Sequence, residues 1–187
     1  MKILLTIIGC IIVLVAAFFL FVFSGVYNIA ASDEHSPFMH WVLNTTMEHS
    51  VEDHAADVQV PPLNDPALAR TGFEHYKEMC ETCHGAPGVD RSEIGQGLNP
   101  LPPDLTKIDP DWSEKELFWT VKHGIKMTGM PSFGETHSDD KIWAIVAFVR
   151  QLRDMSPQQY QALSQQLEPG AEEYGEEVQE HTHEHVH

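Results

Sequence analysis

Cys80-Glu81-Thr82-Cys83-His84 is the stretch of this 187-residue sequence around which the rest of the chain has to fold. Two thiols three positions apart, followed at once by a histidine, form the C-x-x-C-H pattern to which c-type haem is attached. In that chemistry the two sulfurs add to the haem vinyl groups, and the imidazole lies beneath the iron as the proximal ligand. The pattern predicts one covalent haem c, bound through Cys80 and Cys83, with His84 as an axial ligand.

A C-x-x-C pair by itself also occurs in zinc sites and in thiol redox proteins. A zinc site needs further Cys or His ligands nearby, and the next histidines, His75 and His123, form no recognised zinc pattern. The remaining cysteine, Cys10, lies in an apolar run, so no disulfide framework is available. The sequence therefore favours haem over zinc and over thiol chemistry.

The charge of the chain is strongly and unevenly acidic. It has 11 Lys and Arg against 28 Asp and Glu, a formal net charge of −17. The acids dominate residues 33–66 and 168–187, where Lys and Arg are absent, whereas residues 67–153 are nearly balanced. Such a surface argues against nucleic acid as a partner. It has two interpretations: acidic flanks that are simply solvated, or a surface for redox partners with a basic docking face.

The N-terminal segment predicts a membrane anchor. Residues 3–23 carry no charge, and a bilayer span needs about 20 apolar residues, whereas the apolar core of a cleaved signal peptide has about 7–15. Ala30-Ala31-Ser32 leaves cleavage open. With Lys2 before the run and acids after it, the positive-inside rule leaves the N-terminus in the cytoplasm. We expect a single transmembrane signal-anchor over residues 1–27, with the haem domain in the bacterial periplasm.

Residues 28–66 predict a juxtamembrane amphipathic helix and a Pro-rich linker. Ser36-Pro37 is typical of a helix start, with proline at the first helical position. Apolar residues then recur every four positions from Met39 to Ala55. We expect this helix to lie beside the membrane or against the haem domain, with Tyr27 and Trp41 as interfacial anchors.

Residues 67–154 predict an all-α domain wrapped around a flat cofactor. A helix over 67–82 delivers the cysteines and is followed by a glycine-rich loop and a rigid strip, 99–105. A carbonyl of that strip is expected to accept a hydrogen bond from the second nitrogen of His84. The Ser113-Glu114-Lys115-Glu116 capping box opens a short helix that stops at Gly124, and Ser138 precedes the last helix.

The sixth ligand of the iron is expected between the last two helices. Met130 is clamped between Gly129 and Pro131, and a thioether ligand raises the reduction potential of the iron. Met127 is the rival ligand, or else a packing residue over the haem edge. His123 is a third candidate at a helix end.

Residues 67–153 resemble a class I cytochrome c of the short bacterial monohaem type. The matching parts are the C-E-T-C-H motif, the Gly-Met-Pro loop 46 residues after His84, and the final aromatic-rich helix. The resemblance implies the class I fold around one covalently attached haem, with a single transmembrane helix preceding it here. By this resemblance Cys80 and Cys83 are the thioether sites, and His84 and Met130 are the axial ligands of the haem iron. It also implies a contact of the first and last helices at Gly72, Phe73 and Phe148.

The last segment, residues 155–187, is interpreted as an acidic, His-rich tail. Four alternating histidines, from His181 to His187, are spaced to chelate copper, nickel or zinc, and a solvated tail without bound metal is the simpler interpretation. The segment after Pro169 has few apolar residues and is expected to be disordered.

These observations together predict a membrane-tethered periplasmic monohaem cytochrome c. It would transfer electrons between a dehydrogenase or respiratory complex and an acceptor. No catalytic constellation accompanies the motif, so we expect an electron-transfer protein, or the cytochrome subunit of an oxidoreductase complex, rather than an enzyme by itself. Two alternatives remain open: a haem protein with a labile distal ligand, acting as a ligand sensor or enzyme subunit, and an accessory metal-handling protein that uses the His-rich tail.

Overall fold

The computed structural model describes residues 1–107 and 112–167, and these divide into two units, residues 1–35 and the described part of residues 36–187. Within the described ranges the chain is helical, with one isolated bridge between Ala86 and Val89 and no strand. The all-α prediction is confirmed. The alternating histidines of the C-terminal tail lie outside the described residues.

The helical elements follow one another along the chain with short connections. They are α1 (Lys2–Ser24), α2 (Pro37–Ala55), α3 (Pro66–His75), a π-helical turn (Tyr76–Cys80), α4 (Glu81–His84), α5 (Glu93–Gln96), a 3-10 turn (Leu105–Lys107), α6 (Glu114–His123), α7 (Asp139–Leu152) and α8 (Pro157–Leu167).

The first unit consists mainly of α1, a 23-residue apolar helix with no buried residue. Its most apolar window has a mean hydropathy of 3.2. At 1.5 Å per residue the helix is about 35 Å long, enough for a hydrocarbon layer of about 30 Å. By length and composition α1 is able to cross a membrane.

The second unit begins with α2, which starts at the position that the sequence predicted. The Ser36 side chain accepts the Met39 N–H at 3.3 Å, and Pro37 occupies the first helical position. Only the last turns of the apolar stripe are buried, at Val51 and Ala55, on the part of α2 that contacts α6. Met39, earlier on the same stripe, is exposed.

The helix that carries the motif is longer than predicted and is interrupted. Asp65 caps it by accepting the Ala67 N–H at 2.9 Å, and Pro66 is its first residue. From there α3, the π-helical turn and α4 follow without a gap to His84. A π-turn inserts an extra residue into a helix and is frequent at functional sites, and here it ends on Cys80.

The core of the second unit is the crossing of α3 and α7. A Cβ on Gly72 would collide with the Ala144 carbonyl and approach Phe148 Cβ to 2.9 Å, so the two backbones touch. The Phe73 and Tyr76 rings each lie 5.3 Å from the Phe148 ring. The expected contact of the first and last helices at a glycine and aromatic residues is confirmed.

The shorter helix α6 packs beside this crossing. Its predicted capping box is present: Ser113 Oγ accepts the Glu116 N–H at 3.4 Å, and the Glu116 carboxylate accepts the Ser113 N–H at 2.7 Å. The helix ends at Gly124, which has a φ of 65°, in the left-handed region. The Phe118 ring stacks on the Trp143 ring of α7 at 4.1 Å.

The sequence analysis did not predict α8, because its glutamines were interpreted with the tail that follows. Its fully buried residue is Tyr160, which is 1% exposed and whose ring meets Phe73 edge to face at 5.4 Å, and Leu163 and Leu167 pack against the same core. A local signal was present in Ser156-Pro157-Gln158-Gln159. Ser156 Oγ accepts the Gln159 N–H at 3.3 Å, and the Gln159 side chain accepts the Ser156 N–H at 2.8 Å, which is a glutamine capping box.

Gly72→Ala should destabilise the domain strongly, because its Cβ meets backbone that cannot move without separating α3 from α7. We expect a loss of about 2–3 kcal/mol in the free energy of unfolding, measured by circular dichroism in urea. Gly97→Ala is the control. Its Cβ would find no neighbour closer than 3.4 Å, so it should change stability by less than about 0.5 kcal/mol. Equal effects of the two substitutions would contradict the proposed crossing.

Candidate cofactor site

The C-x-x-C-H segment lies where the motif helix ends. Cys83 and His84 belong to α4, which stops at Gly85 with a φ of 69°. A Cβ on Gly85 would come within 2.7 Å of the Val89 carbonyl oxygen, so the chain needs glycine to turn here. The Tyr76 hydroxyl donates to the Gly85 carbonyl at 2.6 Å. The last turn of the motif is thereby fixed to the buried π-turn.

The following loop packs against the backbone of the motif. Both the hydroxyl and the backbone N–H of Ser92 donate to the Thr82 carbonyl, at 2.8 and 3.0 Å. A Cβ on Gly95 would lie 2.9 Å from the Cys83 Cα, so α5 rests directly on the motif. Two independent contacts therefore fix the position of Cys83.

The imidazole of His84 is oriented by the proline-rich strip. Its Nδ1 lies 2.9 Å from the Pro103 carbonyl oxygen. Since a carbonyl only accepts, Nδ1 carries the proton and Nε2 keeps its lone pair for a metal. The sequence analysis expected such a carbonyl within residues 99–105, and the structure identifies it as that of Pro103.

The environment of His84 favours its neutral form. Burial lowers the pKa of His84 and the nearby Arg91 lowers it further, while the hydrogen bond to Pro103 acts in the opposite direction. A lowered pKa means that the imidazolium form of His84 loses a proton at a lower pH than an ordinary histidine does. At neutral pH the imidazole is therefore neutral, which metal ligation requires.

The Cys80 thiol does not have the character of a redox-active or zinc-bound thiolate. The two cysteines form no disulfide, and burial, assisted by Cys83, raises the pKa of the Cys80 thiol to about 12. Redox-active cysteines have lowered pKa values. Within residues 1–107 and 112–167 no cluster of three or more His, Cys, Asp or Glu is arranged to hold a metal ion. The geometry thus disfavours the zinc and thiol alternatives in the described part of the chain.

The loop between α6 and α7 is fixed to the end of α6. A Cβ on Gly124 would lie 2.7 Å from the Met130 carbonyl oxygen, which also accepts the Ile125 N–H at 3.3 Å. The Met130 N–H donates to Thr128 Oγ1 at 3.1 Å. Gly129 packs on Leu98, whose Cδ1 would be 2.6 Å from a Cβ at that position. Met130 itself is half-buried.

The other two candidate ligands of this region are placed differently. Met127 is 89% exposed and has a φ of 60°, a left-handed conformation that non-glycine residues seldom adopt. His123 is exposed at the last position of α6, where its ring lies 4.9 Å from that of Trp119. Of the three candidates, Met130 alone is partly enclosed by the protein.

Arg91 is a site residue that the sequence analysis missed. Its Nε is buried, and no described residue accepts a hydrogen bond from it. Its charge is close enough to lower the pKa of His84 and to act on that of Tyr76. A buried guanidinium N–H without an acceptor is costly, so the site suits a bound group that accepts this hydrogen bond. A single arginine in a predicted loop carries no sequence signal of this role.

Comparison with known proteins agrees with this arrangement. Residues 67–149 match the family described as cytochrome c oxidase, cbb3-type, subunit III. A quinohemoprotein alcohol dehydrogenase from Comamonas testosteroni is 32% identical over 90 residues, which are 48% of this chain and 12% of that protein. The chain thus matches about an eighth of the length of this relative. The matched region, which contains the C-x-x-C-H segment and the Met130 loop, is a c-type cytochrome domain, and such a domain implies haem.

The residues present fit this cofactor. The motif offers two thiols and a neutral imidazole whose free nitrogen is Nε2. Haem also carries two carboxylates, and the unpaired Nε of Arg91 is a donor suited to one of them. Haem therefore accounts for the buried Nε of Arg91, which has no acceptor among the described residues.

Arg91→Gln should lower the reduction potential of the haem-loaded protein, because removal of a nearby positive charge favours the ferric state. An effect of about 1 kcal/mol corresponds to roughly 40 mV for one electron, measured by spectroelectrochemical titration. Arg70→Gln makes the same charge change at a side chain that is 61% exposed and should shift the potential by much less. Equal shifts in the two variants would exclude a specific role of Arg91.

Proposed function

We propose that this chain is a membrane-tethered periplasmic cytochrome c that holds one covalent haem and transfers single electrons between partner proteins. The observation that carries the proposal is the fixed imidazole of His84, with Nδ1 bonded to Pro103 at the end of a C-x-x-C-H segment. This is the arrangement by which a second hydrogen bond sets the orientation and basicity of a metal-ligating histidine.

On the proximal side, Cys80 and Cys83 are the proposed thioether sites and His84 the ligand through Nε2. The protonated, oriented Nδ1 and the lowered pKa of His84 support this assignment. Both cysteines are also held by the fold, Cys80 at the end of the π-turn and Cys83 beneath α5. These contacts support the assignment of the three groups.

On the distal side, Met130 is the proposed ligand. Its support is the rigid loop, closed by the hydrogen bonds of its backbone N–H and carbonyl, and the exposed, outward position of Met127. Met127 is then a surface residue of the same loop. A thioether ligand favours the reduced iron and raises the potential relative to two histidines.

This arrangement suits electron transfer. Bound haem supplies an iron that alternates between the ferrous and ferric states by one electron. The chain contributes ligands from two parts that are each fixed by hydrogen bonds, so little has to move when the charge changes. Arg91 supplies a positive charge beside the cofactor. We propose an electron carrier or cytochrome subunit rather than an enzyme by itself.

The proposed location follows from α1. Its length suits a retained anchor with the N-terminus in the cytoplasm. A tether raises the effective concentration of the domain near membrane-bound partners. The relative is described as a dehydrogenase, and we propose a dehydrogenase or respiratory complex as the electron donor here.

Optical spectra of the purified full-length protein test the ligand assignment. We expect a low-spin ferric spectrum with a sulfur-to-iron charge-transfer band, and no carbon monoxide binding to the ferrous form. Met130→Ala should abolish the band and admit carbon monoxide, because it removes the thioether. Met127→Ala is the matched control in the same loop and should keep the band.

Two results would contradict this proposal. Loss of the band in Met127→Ala alone would transfer the ligand role to Met127. A high-spin ferric spectrum with ready carbon monoxide binding in the unsubstituted protein would mean an open iron, and ligand chemistry would replace simple electron transfer as the function.

The acidic character of the chain predicts a salt-dependent encounter with its partner. If the partner docks through a basic face, raising ionic strength should slow electron transfer severalfold between 20 and 200 mM salt, as measured by stopped-flow spectroscopy. Electron exchange with a small uncharged mediator is the control and should be insensitive to salt. A partner reaction as insensitive as that control would contradict the basic docking face.

A further inference from the structure

The first turns of α2 expose a group of large apolar side chains. Phe38 and Trp41 are 69% and 61% exposed, and their rings lie 6.1 Å apart. Met39 and Leu43 are 36% and 40% exposed. These four residues are called the α2 patch below. A group of exposed large apolar side chains, with two aromatic rings in contact, is typical of an interaction site.

The α2 patch also differs in charge from the rest of this acidic chain. Residues 35–47 contain no Asp, Glu, Lys or Arg. Acids return in the second half of the helix, at Glu48, Glu52 and Asp53. The helix therefore changes along its axis, from an uncharged aromatic end to an acidic end.

The second half of α2 is attached to the cytochrome domain. Val51 and Ala55 are 3% and 0% exposed, and the His54 ring lies 5.5 Å from the Trp119 ring of α6. Lys115 Nζ donates to the Ala56 carbonyl at 3.4 Å. Because one end of the helix is packed on the domain, the α2 patch is a fixed part of the surface of the second unit.

We propose that the α2 patch inserts into the headgroup–acyl boundary of the bilayer that α1 crosses and thereby sets the orientation of the cytochrome domain. This inference rests on the proposed function, in which α1 is a retained anchor. Ser36, the cap of α2, follows Ser24, the end of α1, by twelve positions. A fully extended connection of that length reaches about 40 Å, which is long enough for the patch to touch the surface of the bilayer that α1 would cross.

The chemistry of the patch suits lipid better than a charged protein surface. Tryptophan and phenylalanine are favoured at the membrane interface, where interfacial helices bury one apolar face. The lack of acids over residues 35–47 avoids repulsion from anionic headgroups at that end. The acidic residues from Glu48 onward favour an orientation in which the second half of α2 points away from the membrane, toward the domain.

Spin labels on the full-length, haem-loaded protein in nanodiscs of phosphatidylethanolamine and phosphatidylglycerol test this proposal. In a Cys10→Ser background, single cysteines are introduced by Phe38→Cys, Trp41→Cys and Glu48→Cys. Glu48 is the matched control, because it lies seven residues, about two turns, beyond Trp41 on the same face of the helix. Collision of each label with lipid-soluble oxygen and with a water-soluble nickel chelate is measured by electron paramagnetic resonance.

We expect the ratio of oxygen to nickel accessibility to be severalfold higher at positions 38 and 41 than at position 48. Equal ratios at the three positions would overturn the proposal, since the patch would then be in water. Low accessibility to both reagents at positions 38 and 41 would also overturn it, because a protein partner or a second copy of the chain would cover the patch.

A label on the native Cys10 separates this proposal from that of the anchor. Cys10 lies within α1, so a retained anchor places it among lipid chains, accessible to oxygen and protected from nickel. If Cys10 is in lipid and position 38 is in water, only the α2 inference fails. If Cys10 itself is in water, or is missing from the mature chain, the anchor fails and the inference fails with it.

Discussion

The close contact of α3 with α7 at Gly72 is the constraint on which the site depends. Because Gly72 has no Cβ, the two backbones touch, and the Phe148 ring packs against Phe73 and Tyr76. The buried Tyr76 then extends its hydroxyl to the Gly85 carbonyl, at the residue that follows the motif. A packing contact in the core is thus connected through one side chain to the end of the helix that carries the cysteines and His84.

Much of this arrangement was predictable because its signals are local. The capping residues Ser36 and Ser113 start helices in the structure where the sequence indicated. The C-x-x-C-H segment predicted haem, and the matched family agrees with it. The sequence also indicated that a carbonyl of residues 99–105 would meet His84. The sequence did not identify Pro103 as the source of this carbonyl, because the position of each carbonyl depends on how a segment without regular structure packs.

What the sequence did not predict depends on contacts between distant residues. Helix α8 reaches the core from outside the matched region, mainly through Tyr160, and its glutamine capping box is a weak signal. The apolar period of α2 predicted an amphipathic helix lying beside the membrane or against the haem domain, and only its last turns are packed, against α6. Periodicity shows that a helix has an apolar face, but whether a neighbour is long enough to cover it is a property of the tertiary structure. The role of Arg91 likewise has no local pattern.

The charges around the motif are set by both the matched region and the segment beyond it. Arg91 brings a positive charge near His84, which favours the reduced state of a nearby iron. Glu81, between the two cysteines, brings a negative charge to the motif. Tyr160 of α8 donates its hydroxyl to the Glu81 carboxylate, while its own pKa is raised by burial and by that carboxylate. This hydrogen bond connects α8 to the residue between the two cysteines. Residues 157–167 therefore pack on the same core as the matched region, although the family match ends at residue 149.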